Sequence, residues 1–326
     1  MQTLRTTTTL AAALASLSVI TACGKSTGPG SGNGPSAHPS GTLGAPMPIA
    51  GGRPFGIAFA PTGIVYVTLQ DANSVLPIDL ATRTAGALIP AGADPGDVAF
   101  DLTGRTAYVS GYNDGYVHTI DVNSGTPRDS VRVAANAYRL ALARTAQQLF
   151  VSSEDGTVYV VSTTNLAVTD SIPLGGPLQG MTLNASATTL YASSTDGTVF
   201  AIDAATGAVT DTAAVGGSPQ DVALSPDGKL LYVANQTGWV DVLDANTLAP
   251  LHRFTIADAF GMRPTPDGTQ LYVTSPTLGE VTVLDAAMGN VISIFNIGGS
   301  PRRVAFDAAG TTAVIANENN EVDVVN

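Results

Sequence analysis

Arg53, Arg139, Arg263, Arg302 and Arg303 recur at equivalent or neighbouring points of an internal repeat, and Phe55 and Phe260 stand beside them in the same register. A guanidinium offers paired N–H donors in a fixed fork, which matches a carboxylate or a phosphate. Aromatic faces next to such forks would suit the organic body of an anionic ligand. Asp97 and Asp221 share a column with Arg139 and Arg303, so a second reading stays open, in which these charges form an internal ion-pair ring. Other reactive side chains are scarce. The chain has 3 histidines and 1 cysteine, which excludes disulfides, thiolate zinc sites and haem-attachment motifs. No Ser/His/Asp arrangement is visible, and His118 and His252 fall on strands away from the arginine column.

What must position these arginines is the repeat itself. A turn column runs Gly63, Gly104, Ala146, Ala187, Gly228, Gly268, Gly310. An aromatic column runs Tyr66, Tyr108, Phe150, Tyr191, Tyr232, Tyr272 and ends on Val314. A third runs Asp79, Asp121, Ser162, Asp203, Asp244, Asp285 and ends on Asn326. The spacing is 40 to 42 residues throughout, so seven repeats are present. Each holds four short β-type runs joined by turns such as Pro226-Asp227-Gly228 and Asp196-Gly197, the Asp-Gly pair being a strong hairpin signal. Four-stranded units of this length around an axis make a propeller. The Asp column is expected to cap turns by accepting backbone N–H groups. Ala58, Ala99, Ala141, Thr182, Ala223 and Ala305 are expected where blades crowd at the axis, and Arg263 is the discordant member of that column.

The Tyr232-Val233-Ala234-Asn235 stretch after a Ser-Pro-Asp-Gly turn resembles the YVTN family of seven-bladed propellers, and the resemblance covers nearly all of residues 44–326. The expected fold is all-β, one seven-bladed β-propeller. Blade seven lacks a fourth strand after Asn326, and Ala45–Gly52 ends in Gly-Gly as other fourth strands do, so an N-terminal strand is expected to close the ring. The resemblance implies a channel mouth lined by the loops entering each blade, where Arg53, Arg263, Arg302 and Arg303 would converge from blades six, seven and one. On blade positions, Asp97 and Asp221 would stand away from that cluster. Asp71, Asp114, Glu154, Asp155, Asp196, Glu280 and Glu318 would form an acidic perimeter on the same face, attracting cations or a basic partner, or simply solubilising it. Lactonase-like and lyase-like propellers use carboxylate, His or Asn clusters around a metal or a proton-transfer site. No mouth-facing histidine answers to that pattern here, so the chain is expected not to be an enzyme and to hold no metal or cofactor. A hydrolase or lyase with an unrecognised metal site is the alternative.

The N-terminal segment carries different chemistry. Residues 1–22 have one basic residue, Arg5, followed by an uncharged Ala/Leu/Thr-rich run too short for a membrane span. The run ends in Ile20-Thr21-Ala22-Cys23, which resembles the bacterial lipobox, with Cys23 the lipidated first residue of the mature chain. Residues 23–43 read as a Gly/Ser/Pro-rich tether, with His38 solvated, and 44–326 as the propeller. Gly24 after the cysteine favours, by the same resemblance, the outer membrane or cell surface. A net charge of −12 argues against nucleic acid as a partner. The whole reads as a lipid-anchored envelope module that binds an unidentified protein or a small anionic ligand. Cys23→Ser should move the protein from the membrane fraction to the soluble envelope fraction. Retention of palmitate label by the variant in the membrane pellet would rule out Cys23 as the lipidated residue.

Overall fold

The computed structural model describes residues 38–143 and 147–326. The expected signal segment, Cys23, most of the tether and Ala146 of the turn column lie outside the described residues. Within them the chain folds into seven antiparallel sheets, one per repeat, and no helix is present. Blade one starts with Pro54–Phe59, Val65–Leu69 and Ser74–Asp79. Its outer strand is broken into Thr84–Ala85 and Ile89–Pro90, both paired with the third strand. Blades two to six each have four consecutive strands in chain order from axis to rim.

Register explains why the columns alternate in size. The small residue of the first strand stands directly opposite the large residue of the second: Ala58 faces Tyr66, Ala99 faces Tyr108, Ala141 faces Phe150 and Ala223 faces Tyr232. Opposed residues share a sheet face, so an aromatic ring there needs a small neighbour near the crowded axis. The ring then packs on the next blade rather than within its own. Tyr191 and Tyr232 also donate their hydroxyls across that boundary, to the carbonyls of Ala245 at 2.7 Å and Ala286 at 3.2 Å.

Seven apolar clusters fill the seven boundaries, each shared by two consecutive blades. A twisted sheet has two faces, and here both are apolar and covered. The Asp column caps turns as expected: Asp79, Asp121, Asp203, Asp244 and Asp285 each accept N–H bonds from the residues two and three positions later. At Asp79 and Asp244 those bonds, and at Asp203 the Thr206 hydroxyl followed by the same N–H bonds, hold the carboxyls below the ordinary carboxylate range.

The ring closes through the N-terminal strand. Met47–Pro48 pairs with Glu321–Val325 of blade seven, and the pairing continues from Thr42, which exchanges N–H and carbonyl with Asn326, to the Ile49 N–H on the Asn320 carbonyl. Met47 and Ile49 are buried between blades seven and one beside Ile57, Val67 and Val324. Contacts with the propeller extend N-terminal to Ala45, into the segment expected to be a tether. His38, part-exposed, has a partner there: its Nδ1 lies 2.7 Å from Asp267 Oδ2 in the first turn of blade six, and Ser40 bonds the Asn326 carbonyl. Asp267 holds the ring there because burial, which opposes its charge, is outweighed by hydroxyl, imidazole and backbone donors that bring its pKa to about 2.

Two truncations test the closure. Removing residues 1–37 should leave the melting temperature within about 2 °C of the longer protein, because no described contact is lost. Removing 1–52 uncovers an apolar boundary that includes Met47 and Ile49, at about 1.5–3 kcal/mol for each buried side chain, and should lower it by on the order of 10 °C. Coincident melting curves would show that the strand does not close the ring.

Candidate functional site

The loops that enter each blade gather around the axis at one end of the channel. At this point the first strand shifts register in blades one, two, three, four, five and seven, between Pro95 and Val98 or Pro301 and Val304 for example. A bulge of this kind re-aims a side chain. In blades one to four it is held by a buried hydroxyl two residues after the aromatic column, and Thr274 plays the same part in the corresponding loop of blade six. Thr68, Ser110, Ser152, Ser193 and Thr274 accept the N–H of Gly56, Asp97, Arg139, Gly180 and Gly261 at 2.7–3.2 Å. Ser110 and Thr274 also donate to the carbonyls of Tyr138 and Arg302 in the following blade. The hydroxyl column stands at a constant offset of two residues from the aromatic column, a signal that the sequence carries but that the chemistry-bearing residues do not point to.

Along the bulged column, glycine and charge divide the space. A Cβ on Gly56 would lie 2.5 Å from the Gly96 carbonyl, and one on Gly261 would lie 1.8 Å from that of Arg302. Neighbouring blades touch through backbone at these points, and the four charged members reach across the axis. Arg139 contacts Asp97 at 3.3 Å and Asp221 at 3.2 Å, and Arg303 stands 2.8 Å from the other oxygen of Asp221. Each aspartate also accepts an N–H from the next blade, Leu140 on Asp97 and Met262 on Asp221. Burial alone would raise the Asp221 pKa, but Arg303, Arg139, Arg263 and the Met262 N–H hold it below the ordinary value. Burial would equally lower Arg303, and Asp221 and Tyr138 overcome it.

Phe55, Tyr138 and Phe260 meet edge to face over this network, with centroids 5.8 and 6.2 Å apart. The Arg303 guanidinium lies 5.1 Å from the Phe260 centroid and within 6 Å of the other two rings. The rings separate a vestibule of about 260 Å³ at the mouth from a channel cavity of about 330 Å³ beyond. Arg302 lines the vestibule, 4.7 Å over Phe260 and 2.9 Å from Glu318. Arg53 contacts Asp71 at 3.2 Å, Asp94 at 3.5 Å and Gln70 at 2.7 Å. Glu154 accepts from Tyr112, Asn136 and Gln179. Burial, followed by the bond to Glu154, pushes the Tyr112 hydroxyl well above its ordinary pKa.

The arginines therefore do not converge at one mouth. Arg53 and Arg302 belong to the rim, Arg139 and Arg303 to the buried ring, and Arg263 lines the cavity on the far side of the aromatic rings. Asp221 is not remote from the blade-seven arginines either, because the channel is narrow enough for side chains to span it. Nor is the perimeter made only of solvated carboxylates, since Glu154, Glu318 and Asp71 are drawn into the contacts above. His118 binds Asp114 at 2.9 Å beside Tyr116, away from the axis. Among the described residues, no group of three or more His, Cys, Asp or Glu side chains is placed to hold a metal ion.

No family model matches the chain, and no curated protein sequence matches it either. Solved structures do match in fold. A chain of Kuenenia stuttgartiensis hydrazine synthase superposes with a TM-score of 0.78 at 19% identity, over 85% of this chain and 96% of that one. The Cps50 (Swd1) β-propeller domain of Myceliophteria thermophila superposes at 0.77 and 14% identity, over 87% and 98%. At such identities the likeness establishes the seven-bladed propeller and nothing about activity. The fold fits binding and scaffold roles in general.

Asp221→Asn keeps the acceptor for Met262 and removes the charge between Arg139 and Arg303. It should cost about 3–5 kcal/mol in urea unfolding at pH 7, as for a buried pair that loses one partner. A carboxyl with a depressed folded pKa stabilises above its unfolded pKa and loses that contribution on acidification, so wild type and variant should converge as the pH falls through the folded value. Arg53→Ala, at the exposed rim, should cost about 0–1 kcal/mol. Equal losses at the two positions would contradict the division into rim and buried ring.

Proposed function

We propose that this protein is a non-catalytic binding or scaffold propeller of the bacterial cell envelope, held to a membrane by lipid on Cys23 and offering its mouth face to a protein partner. The observation that carries the reading is the state of the mouth's polar groups. Glu154, Glu318, Asp94, Arg53 and Arg302 all have partners inside the protein, over a floor of packed aromatic rings. General acid–base catalysis needs a titratable group that is placed to exchange a proton and has a pKa near the working pH. Tyr112 is moved away from such a value, and Glu154 is saturated with donors. A preorganised, mostly satisfied surface suits docking instead, because little side-chain order is lost on contact.

Charge narrows the partner. Asp155, Asp196 and Glu280 remain at the rim without an ion-pair partner among the described residues, and Leu278, two residues before Glu280 in blade six, is 52% exposed. A basic surface with an apolar contact point complements this rim, the charges serving mainly association rate and orientation. The chain enters the propeller at the opposite face, where His38 and Ser40 make their contacts. That placement leaves the mouth unobstructed by the described part of the tether.

The test is a photocrosslinking side chain at Leu278 in the lipidated protein in intact cells, with Leu251 on the outer strand of blade five as control. A discrete adduct is expected from Leu278 alone, and Asp196→Lys with Glu280→Lys should abolish it. Adducts from Leu251 only, or from neither site, would refute the docking reading. Metal-dependent turnover of lactones by the purified protein would refute the non-catalytic one.

A further inference from the structure

Among the described residues, which include every Asp and Glu of the chain, Arg263 makes no ion pair and no hydrogen bond to protein. It comes from the first strand of blade six, Met262–Pro264, opposite Tyr272, at the position where the other six repeats carry Ala or Thr. Its side chain lines the channel cavity beyond the aromatic rings, together with Asp97, Arg139 and Thr182. The charges facing it are Arg139, Arg303, Asp97 and Asp221. Both aspartates are engaged, Asp97 by Arg139 and Asp221 by Arg139 and Arg303. The axial set is thus three guanidiniums against two carboxylates, one positive charge in excess in a confined space. Protein surrounds Arg263, and this burial pulls its pKa down, although the cavity leaves part of its surface reachable.

We propose that this cavity binds one small monoanion at Arg263, the carboxylate of a short organic acid, entered from the face opposite the mouth. A carboxylate would balance the excess charge and accept the N–H fork that no protein group accepts. The rest of the wall is formed by strand segments of blades one to four, and its exposed surface is mostly polar, so the carboxylate rather than an alkyl chain carries the recognition. A dianion would overshoot the single surplus charge, and a cation would add to it. The site stands on its own: it uses none of the vestibule residues assigned to protein docking, and it survives or falls separately from that reading.

The experiment is calorimetry on the purified propeller with acetate, butyrate and bromide at constant ionic strength, the balance made up with fluoride. Crystals soaked in bromide are examined for anomalous scattering. Saturable carboxylate binding is expected in the wild type, acetate at least as tight as butyrate, with affinity lowered tenfold or more in Arg263→Gln. The bromide peak should lie against the Arg263 guanidinium. In carboxylate-free buffer Arg263→Ala should melt no lower than wild type, since no protein partner is stranded. Absence of saturation, equal affinities in wild type and Arg263→Gln, or bromide binding without carboxylate binding would overturn the proposal. A clear loss of stability in both variants would also overturn it, by showing that Asp97 or Asp221 depends on Arg263.

Discussion

No blade of this protein owns a core. Each sheet puts its apolar residues on two faces, and each of the seven buried clusters draws from two consecutive blades. Stability is therefore a property of the closed ring, and every other feature depends on the boundaries being complete. The boundary between blades seven and one is the only one that needs a segment from the far end of the chain. Met47 and Ile49 supply apolar surface there, and backbone pairing from Thr42 to Ile49 covers an edge that would otherwise expose unpaired N–H and carbonyl groups. This boundary also has Val314 where the other blades carry an aromatic ring. A larger groove, about 910 Å³, lies there, against about 420 Å³ for the corresponding groove between blades five and six that Tyr232 lines.

Toward the axis the geometry tightens and the chemistry changes. Seven first strands cannot all present side chains inward at one level. Gly56, Gly180 and Gly261 yield to neighbouring backbone, and the charged members of the same column take the volume that remains. Charges in such a place cost free energy unless they are paired. Asp97 and Asp221 meet the requirement in two ways at once, by accepting an N–H from the following blade and by facing Arg139. They bind blade to blade and side to side. The bulges and the hydroxyls of Thr68, Ser110, Ser152, Ser193 and Thr274 aim this column.

The fold was legible because its causes are periodic. Turn, aromatic and Asp columns repeat at constant spacing, and each has a local physical role that one repeat reveals as well as seven do. The closing strand was legible from what blade seven lacks. The site was legible only as a set of residues, since Arg53, Arg139, Arg263, Arg302 and Arg303 do all line the axis or its rim. Their partners were not. Whether Asp221 meets Arg303 depends on the diameter of the channel, a distance between blades that no column within the repeat encodes. His38 was missed for a similar reason: a Gly/Ser/Pro context describes its neighbours in sequence, not Asp267, 229 residues away.

Arg263 shows how a departure from a repeat acquires meaning. In five blades the column residue is small because an aromatic side chain stands opposite it and the next blade is close, and in blade seven Ala305 faces Val314. Arg263 also has such an opposite, Tyr272, which is buried against blade seven and leaves it no room in that direction. The long side chain must turn toward the axis. Blades one to four form the wall it faces, and blade six alone among the other three contributes to that cavity. One arginine thus fills on its side the volume that short residues leave open on the other. A leucine or methionine would fill the same volume without desolvating a charge, so filling does not account for arginine. What arginine adds over an apolar chain of similar length is a forked donor and a positive charge. Both are directed at the end of the channel that the aromatic rings separate from the mouth.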